Sequence, residues 1–298
     1  MLQKIFAVSY RRNTCMKKKV LFFGKLFIVT LLLFVFCFGV VMPQYTGNYQ
    51  ASMVDKAARL RSVEGPKIVL IGNSNLAFGM DSQMLEEAFS MPVVNMGLHG
   101  GVGNVFNEQA ARLNVTPGDI YVVCHSNYDD TDAIKNPELA WITIENHFEL
   151  YKLIRPNDCY RRSAFNAYGD VYYPRPQSEE GIDFSPVAIH HINETTAKRL
   201  NMLYDDLRKQ GADMVVAGYP IAEYEGTPER AAYDEMGQEI ADALDAAVIS
   251  DFNDYRYPTS YFYNTYMHLT DEGTKARTQQ LIKDLQAYMD GEAKYENK

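Results

Sequence analysis

Four short segments carry the residues best suited to chemistry. Ser74 lies in IGNSNLAFG, directly after an apolar run and a glycine. A serine there presents its hydroxyl at a strand end, and it needs a base to take its proton before it can attack. The same residue types also make plain turns. NMGLHGGVGN, around Gly100, clusters glycines whose backbone N–H groups can approach a ligand closely and stabilise a developing oxyanion. HSNYDD brings the Asn127 amide to a third such position, while Asp129 and Asp130 read as solvated loop charges. YNTYMHLTDEG places His268 two residues before the cap of a last helix, where an imidazole can serve as a base.

These segments must be positioned by the elements between them. KIVLIG (67–72), PVVN (92–95), DIYVVC (119–124), DMVVAG (213–218) and AVIS (247–250) are short, β-branched runs that predict five buried strands. Helices are expected between them. One is capped by Asp81 or Ser82 with Met84, Leu85, Ala88 and Phe89 on one face. Another carries Phe106, Ala110 and Leu113; others cover Trp141–Leu153, about Thr195 to Lys209 with Gly211 as its C-terminal glycine, and Glu229–Leu244. The last is capped by Thr270 with Asp271 and Glu272 in its first turn. Strand–helix alternation argues for an α/β fold with a parallel sheet covered on both faces. In such sheets ligands bind outside the carboxyl ends of the strands, where the four segments fall.

Taken in order, IGNSN with Ser74, NMGLHGG with Gly100, HSN with Asn127 and HLTDEG with His268 resemble the four sequence blocks of SGNH/GDSL hydrolases, across roughly residues 66–288. The resemblance implies a flavodoxin-like three-layer α/β/α fold with a central parallel five-stranded sheet. It also implies two-step transfer of an acyl ester, often on carbohydrate. Ser74 would be the nucleophile and His268 the base. Gly100, Asn127 and the Ser74 amide would form the oxyanion hole. The pattern departs in three places. Asn73 stands where the family has aspartate before the serine, and His125 replaces the glycine of the third block. Thr265 occupies the usual position of the triad acid. Asn264, one residue earlier, can accept the imidazole N–H and fix its tautomer, though it cannot offset imidazolium charge. Asp251 or Asp254, or a backbone carbonyl, are the other groups considered for that role.

The expected activity is therefore an extracytoplasmic serine esterase or O-acyltransferase. The competing expectation is a non-catalytic glycan-binding or assembly protein that keeps the fold. Tyr255, Tyr257, Tyr261, Tyr263 and Tyr266, with Tyr172, Tyr173 and Trp141, either stack on sugar rings or simply pack a long loop.

Charge distribution fixes the setting. Lys4, Arg11, Arg12, Lys17, Lys18, Lys19 and Lys25 precede Pro43 with no acid among them. The remaining 22 basic residues face 38 acids, which argues against nucleic acid as a partner. Val20–Met42 is apolar apart from Lys25 and long enough to cross a bilayer. The basic cluster before it predicts a cytoplasmic N-terminus and an outside body. VVMPQY lacks a small-x-small cleavage site, so an uncleaved anchor is expected. Met16, followed by KKK and the apolar run, is an alternative start. The organisation expected is a basic tail (1–19), a transmembrane helix (20–42), a connector with a short helix in MVDKAARLRS (43–65), the catalytic-type domain (66–290) and a polar tail (291–298). Cys15, Cys37, Cys124 and Cys159 give neither a metal spacing nor a disulfide framework, and Cys124 reads as a buried free thiol. No cofactor site is apparent, and nothing in the sequence sets an oligomeric state.

Overall fold

The structure is a computed structural model that describes residues 2–37, 53–98, 100, 103–129, 166–292 and 294–295. The helix expected over Trp141–Leu153, together with Asp130 and Cys159, lies outside the described residues.

Helix α1 (Leu2–Phe36) contains one stretch, Met16–Phe36, whose length and mean hydropathy of 2.3 suit a membrane crossing; none of it is covered by the rest of the protein. The span expected from the sequence, 20–42, runs past the described part of this helix. The body then alternates as the strand and helix signals required. In chain order it comprises α2 (Met53–Ser62), β1 (Ile68–Ile71), α3 (Ser74–Ala77), α4 (Ser82–Phe89), β2 (Val93–Asn95), α5 (Asn104–Ala111) and β3 (Ile120–Val123). After residue 165 come α6 (Glu194–Lys209), β4 (Asp213–Val216), β5 (Ile221–Glu223), α7 (Arg230–Ala243), β6 (Ala247–Val248), β7 (Arg256–Pro258) and α8 (Asp271–Met289).

Five strands form one parallel sheet in the order β2-β1-β3-β4-β6. The order turns back between β1 and β3, the neighbours whose carboxyl ends carry Ser74 and Asn127. Alternation along the strands sends Val69, Ile71, Tyr121, Val123, Met214 and Val216 into one core, with residues of α2, α5, α6 and α7. It sends Ile68, Leu70, Val122, Val215 and Ala217 into a second, with Leu76, Leu85, Leu281 and Leu285. Both faces are therefore buried, as continuous β-branched runs demand.

Local chemistry sets the helix ends. Asp81 accepts from the Met84 amide, Asn193 from Thr196 and Thr270 from Gly273, each a side-chain cap. Gly211 takes φ +81°, the left-handed conformation that ends α6. Three features sharpen the sequence reading. Pro220 ends β4 but is followed at once by β5, which pairs in parallel with β7 from the tyrosine-rich loop to make a second, two-stranded sheet. Tyr255 and Tyr257 are buried in that loop's own core with Phe262 and Leu269, so they pack rather than face ligand. The stretch read as a connector contributes α2, whose Met53, Ala57 and Leu60 are fully buried.

Candidate active site

The turn after β1 is built for close approach. A side chain at Gly72 would press within 2.8 Å of Leu76 and 3.0 Å of the Cys124 carbonyl. One at Gly97 would meet Leu76 at 2.6 Å and the Asn73 carbonyl at 2.9 Å. Asn107 Nδ2 holds the Gly72 carbonyl at 2.9 Å. Asn73 is extended, and its Oδ1 accepts both the Asn75 backbone N–H (2.9 Å) and Asn75 Nδ2 (2.7 Å). That cap starts α3 at Ser74, which is half-buried, and the turn closes with the Phe78 amide on the Ser74 carbonyl at 2.9 Å.

His268 arrives from the other end of the chain. Its backbone carbonyl accepts from Tyr263 N–H (2.8 Å), Thr265 Oγ1 accepts its N–H (3.2 Å), and the next amide, Leu269, donates to the Phe78 carbonyl (3.1 Å). The imidazole lies flat on the Phe78 ring, with centroids 3.9 Å apart and planes 7° from parallel. Phe78 caps the end of the short helix that Ser74 opens, so the stack holds the imidazole against that turn. Asn264 Oδ1 lies 2.8 Å from His268 Nδ1. An amide oxygen there can accept a proton carried on Nδ1, the tautomer that a base acting through Nε2 requires. The two aspartates considered for this role are engaged elsewhere. Asp251 pairs with Lys294 at 2.8 Å, which together with the Asn253 hydrogen bonds outweighs burial and holds its carboxyl below the usual range; Asp254 accepts from Gln280 at 3.4 Å.

Gly100 and Asn127 converge on the same turn. A side chain at Gly100 would stand 3.9 Å from Asn73 Cβ. Asn127 is half-buried; its carbonyl accepts from Asn104 Nδ2 (3.0 Å) and its Oδ1 from the Asp129 amide (2.9 Å). The backbone donor fixes that side chain and leaves its Nδ2 as the group it can offer a ligand. Asp129, exposed as expected, also lies 3.4 Å from His190 Nδ1. The structure thus places Ser74 and Asn127 after the carboxyl ends of β1 and β3, sets Gly100 beside Asn73, and stacks His268, with Asn264 at its Nδ1, on Phe78 of the turn that Ser74 opens.

Several contributors had no signal in the sequence. Arg277 of α8 is fully buried and donates to the Asn75 carbonyl and, at 2.8 Å, to Asn75 Oδ1. Burial lowers its pKa, but a guanidinium keeps its proton in proteins. Asn73 Nδ2 donates to Ser126 Oγ at 2.7 Å, joining the ends of β1 and β3. His125 is fully buried, with Nε2 2.9 Å from Glu108, which also accepts from Arg199 at 2.9 Å. Burial alone would raise the Glu108 pKa; the His125 and Arg199 contacts outweigh it and hold the carboxyl lower. Beside these, burial pushes the Cys124 thiol up to about 11, which makes it a poor nucleophile at neutral pH. Tyr173 meets Phe78 edge-on at 6.4 Å and Tyr263 at 6.3 Å, while Tyr172 is 51% exposed. Trp141 lies outside the described residues. Among the described residues no group of three or more His, Cys, Asp or Glu side chains is arranged to hold a metal ion.

No family model, no curated protein and no solved structure matches this chain.

Proposed function

We propose that this chain is an SGNH/GDSL-type serine esterase or O-acyltransferase whose body stands outside a membrane on helix α1. The observation that carries the reading is the His268 imidazole, stacked on Phe78 one turn from Ser74 and oriented by Asn264. In the reaction, Ser74 Oγ bonds to the acyl carbon while His268 Nε2 takes its proton. The carbonyl electron pair moves to oxygen, which the Ser74 and Gly100 amides and Asn127 Nδ2 receive. His268 then protonates the departing alcohol, and water or a carbohydrate hydroxyl releases the acyl group in a second attack.

The strand order and the two buried faces support a flavodoxin-like three-layer architecture, with the crevice at its switch point. Lys17, Lys18 and Lys19 at the start of the apolar stretch support a cytoplasmic N-terminus. A body held there meets esters of cell-envelope carbohydrate as natural substrates. Partially exposed tyrosines beside Phe78 suit such rings. Ser74→Ala abolishes turnover of a short-chain aryl ester and labelling by a fluorophosphonate; equal labelling of wild type and variant removes Ser74 from the reaction.

One observation favours a second reading. The group on His268 Nδ1 is an amide, which orients the ring without balancing its charge. A non-catalytic glycan-binding or assembly protein needs no such balance. Glycan binding that survives His268→Ala, without acyl release by wild type, selects that reading.

A further inference from the structure

Two asparagines in the site can each be turned only one way, and together they give it a direction. Asn75 Nδ2 donates to the Cys124 carbonyl at 3.0 Å, which identifies the opposite end as Oδ1, the acceptor for Arg277 Nη2. Asn73 accepts the Asn75 backbone N–H, which identifies that end as Oδ1 and makes Nδ2 the donor to Ser126 Oγ. The bonds therefore run one way, from Arg277 through Asn75 and Asn73 to Ser126. Each bond polarises the next. Asn73 Oδ1 already takes two N–H groups, so Ser126 cannot return its own proton along the line. Ser126 is 3% exposed, precedes Asn127 and stands at the β1/β3 switch. At the head of the line, Arg277 has no carboxylate within ion-pair distance among the described residues; its other bonds go to the carbonyls of Asn75, Gly79 and Gly218. Its charge is shared between those carbonyls, the neighbouring Cys124 thiol and the relay.

We propose that Ser126 Oγ–H is a further catalytic donor to the tetrahedral oxyanion, polarised by Arg277 through the positioning residues Asn75 and Asn73. This rests on the acyl-transfer reading above. The Ser126 proton stays on Ser126 throughout. It hydrogen-bonds the oxygen that gains the carbonyl electron pair when Ser74 Oγ bonds to the acyl carbon, and that bond is released when the carbonyl re-forms.

The test uses the full chain in detergent. It measures kcat and KM on a short-chain aryl ester, and fluorophosphonate labelling rates, for wild type, Ser126→Ala, Asn73→Asp and the double variant. Removing one oxyanion donor from an acyl-transfer site lowers kcat by about a hundredfold. Ser126→Ala is expected to lose about that much, with KM within roughly twofold, because the bond forms only in the transition state. Asn73→Asp puts a carboxylate oxygen where Nδ2 was, so Ser126 donates back to it and its proton leaves the crevice. That variant is expected to match Ser126→Ala, and the double variant to be no slower than either. A Ser126→Ala or Asn73→Asp enzyme as fast as wild type, or losses that add in the double variant, overturns the proposal. Wild type that neither turns over ester nor labels defeats the acyl-transfer reading itself. An active wild type with unimpaired single variants overturns this proposal alone.

Discussion

Lys56 Nζ lies 2.6 Å from the Gly169 carbonyl and 2.9 Å from the Asn95 carbonyl, with the lysine 1% exposed. Burial brings its pKa down to about 7, against a smaller upward pull from Asp170. Between pH 7 and 10.5 the unfolded chain keeps this proton and the folded chain releases it. Stability therefore rises with pH across that window, by up to about 1 kcal/mol per unit from this group. Below pH 7 both states hold the proton and the burial penalty stands in full. Urea unfolding of wild type and Lys56→Met at several pH values checks this. The variant is expected to lack that part of the slope, and identical slopes contradict it.

In the proposed site Asn264, with Oδ1 2.8 Å from His268 Nδ1, orients the ring without supplying charge. In the Ser-His-Asp case, replacing the aspartate by asparagine lowers turnover about ten-thousand-fold. Asn264→Asp runs that change in reverse, and an increase in kcat of about tenfold or more is expected. Asn264→Ala is expected to lower kcat with little change in KM. Ester kinetics on both variants settle the point, and an Asn264→Asp enzyme no faster than wild type counts against the assigned role.

The Phe78–His268 stack gives a third expectation. Stacked ring pairs contribute about 0.5–1.5 kcal/mol, equivalent to roughly two- to tenfold in rate if lost in the transition state. Phe78→Leu is expected to lower kcat within that range at unchanged KM, and Phe78→Tyr to restore it. A loss carried by KM instead would place Phe78 in substrate binding.

The Lys67–Asp119 pair, 2.8 Å apart with neither side chain exposed, anchors β1 to the start of β3 far from the crevice. Asp119→Asn leaves the ammonium buried with a weaker partner. A loss of about 3–5 kcal/mol in unfolding free energy is expected, measured by chemical denaturation, with kcat per folded molecule unchanged.

The residues that end strands were legible because buried parallel strands are short β-branched runs, and ligand crevices open where they stop. The places of Ser74, Gly100 and Asn127 beyond strand ends could be read that way, and that of His268 from the cap that follows it. What was not legible depends on contacts between distant positions. Arg277 looks like an ordinary helix charge until α8 lays it under Asn75, and Lys56 sits in a stretch polar enough to pass for linker. Whether Tyr255 and Tyr257 pack or meet sugar rings could not be read from a tyrosine-rich run, because β7 forms only against β5. Proline punctuation at 220 and 258 hid both partners.

The hydrogen bonds from Arg277 to Asn75 join positions 202 residues apart. The turn that presents Ser74 is among the first parts of the body to be synthesised, and the guanidinium that satisfies its carbonyl is among the last. A nascent or truncated chain that stops short of α8 leaves this turn without its Arg277 bonds, so the docking of α8 completes what the nearer contacts begin.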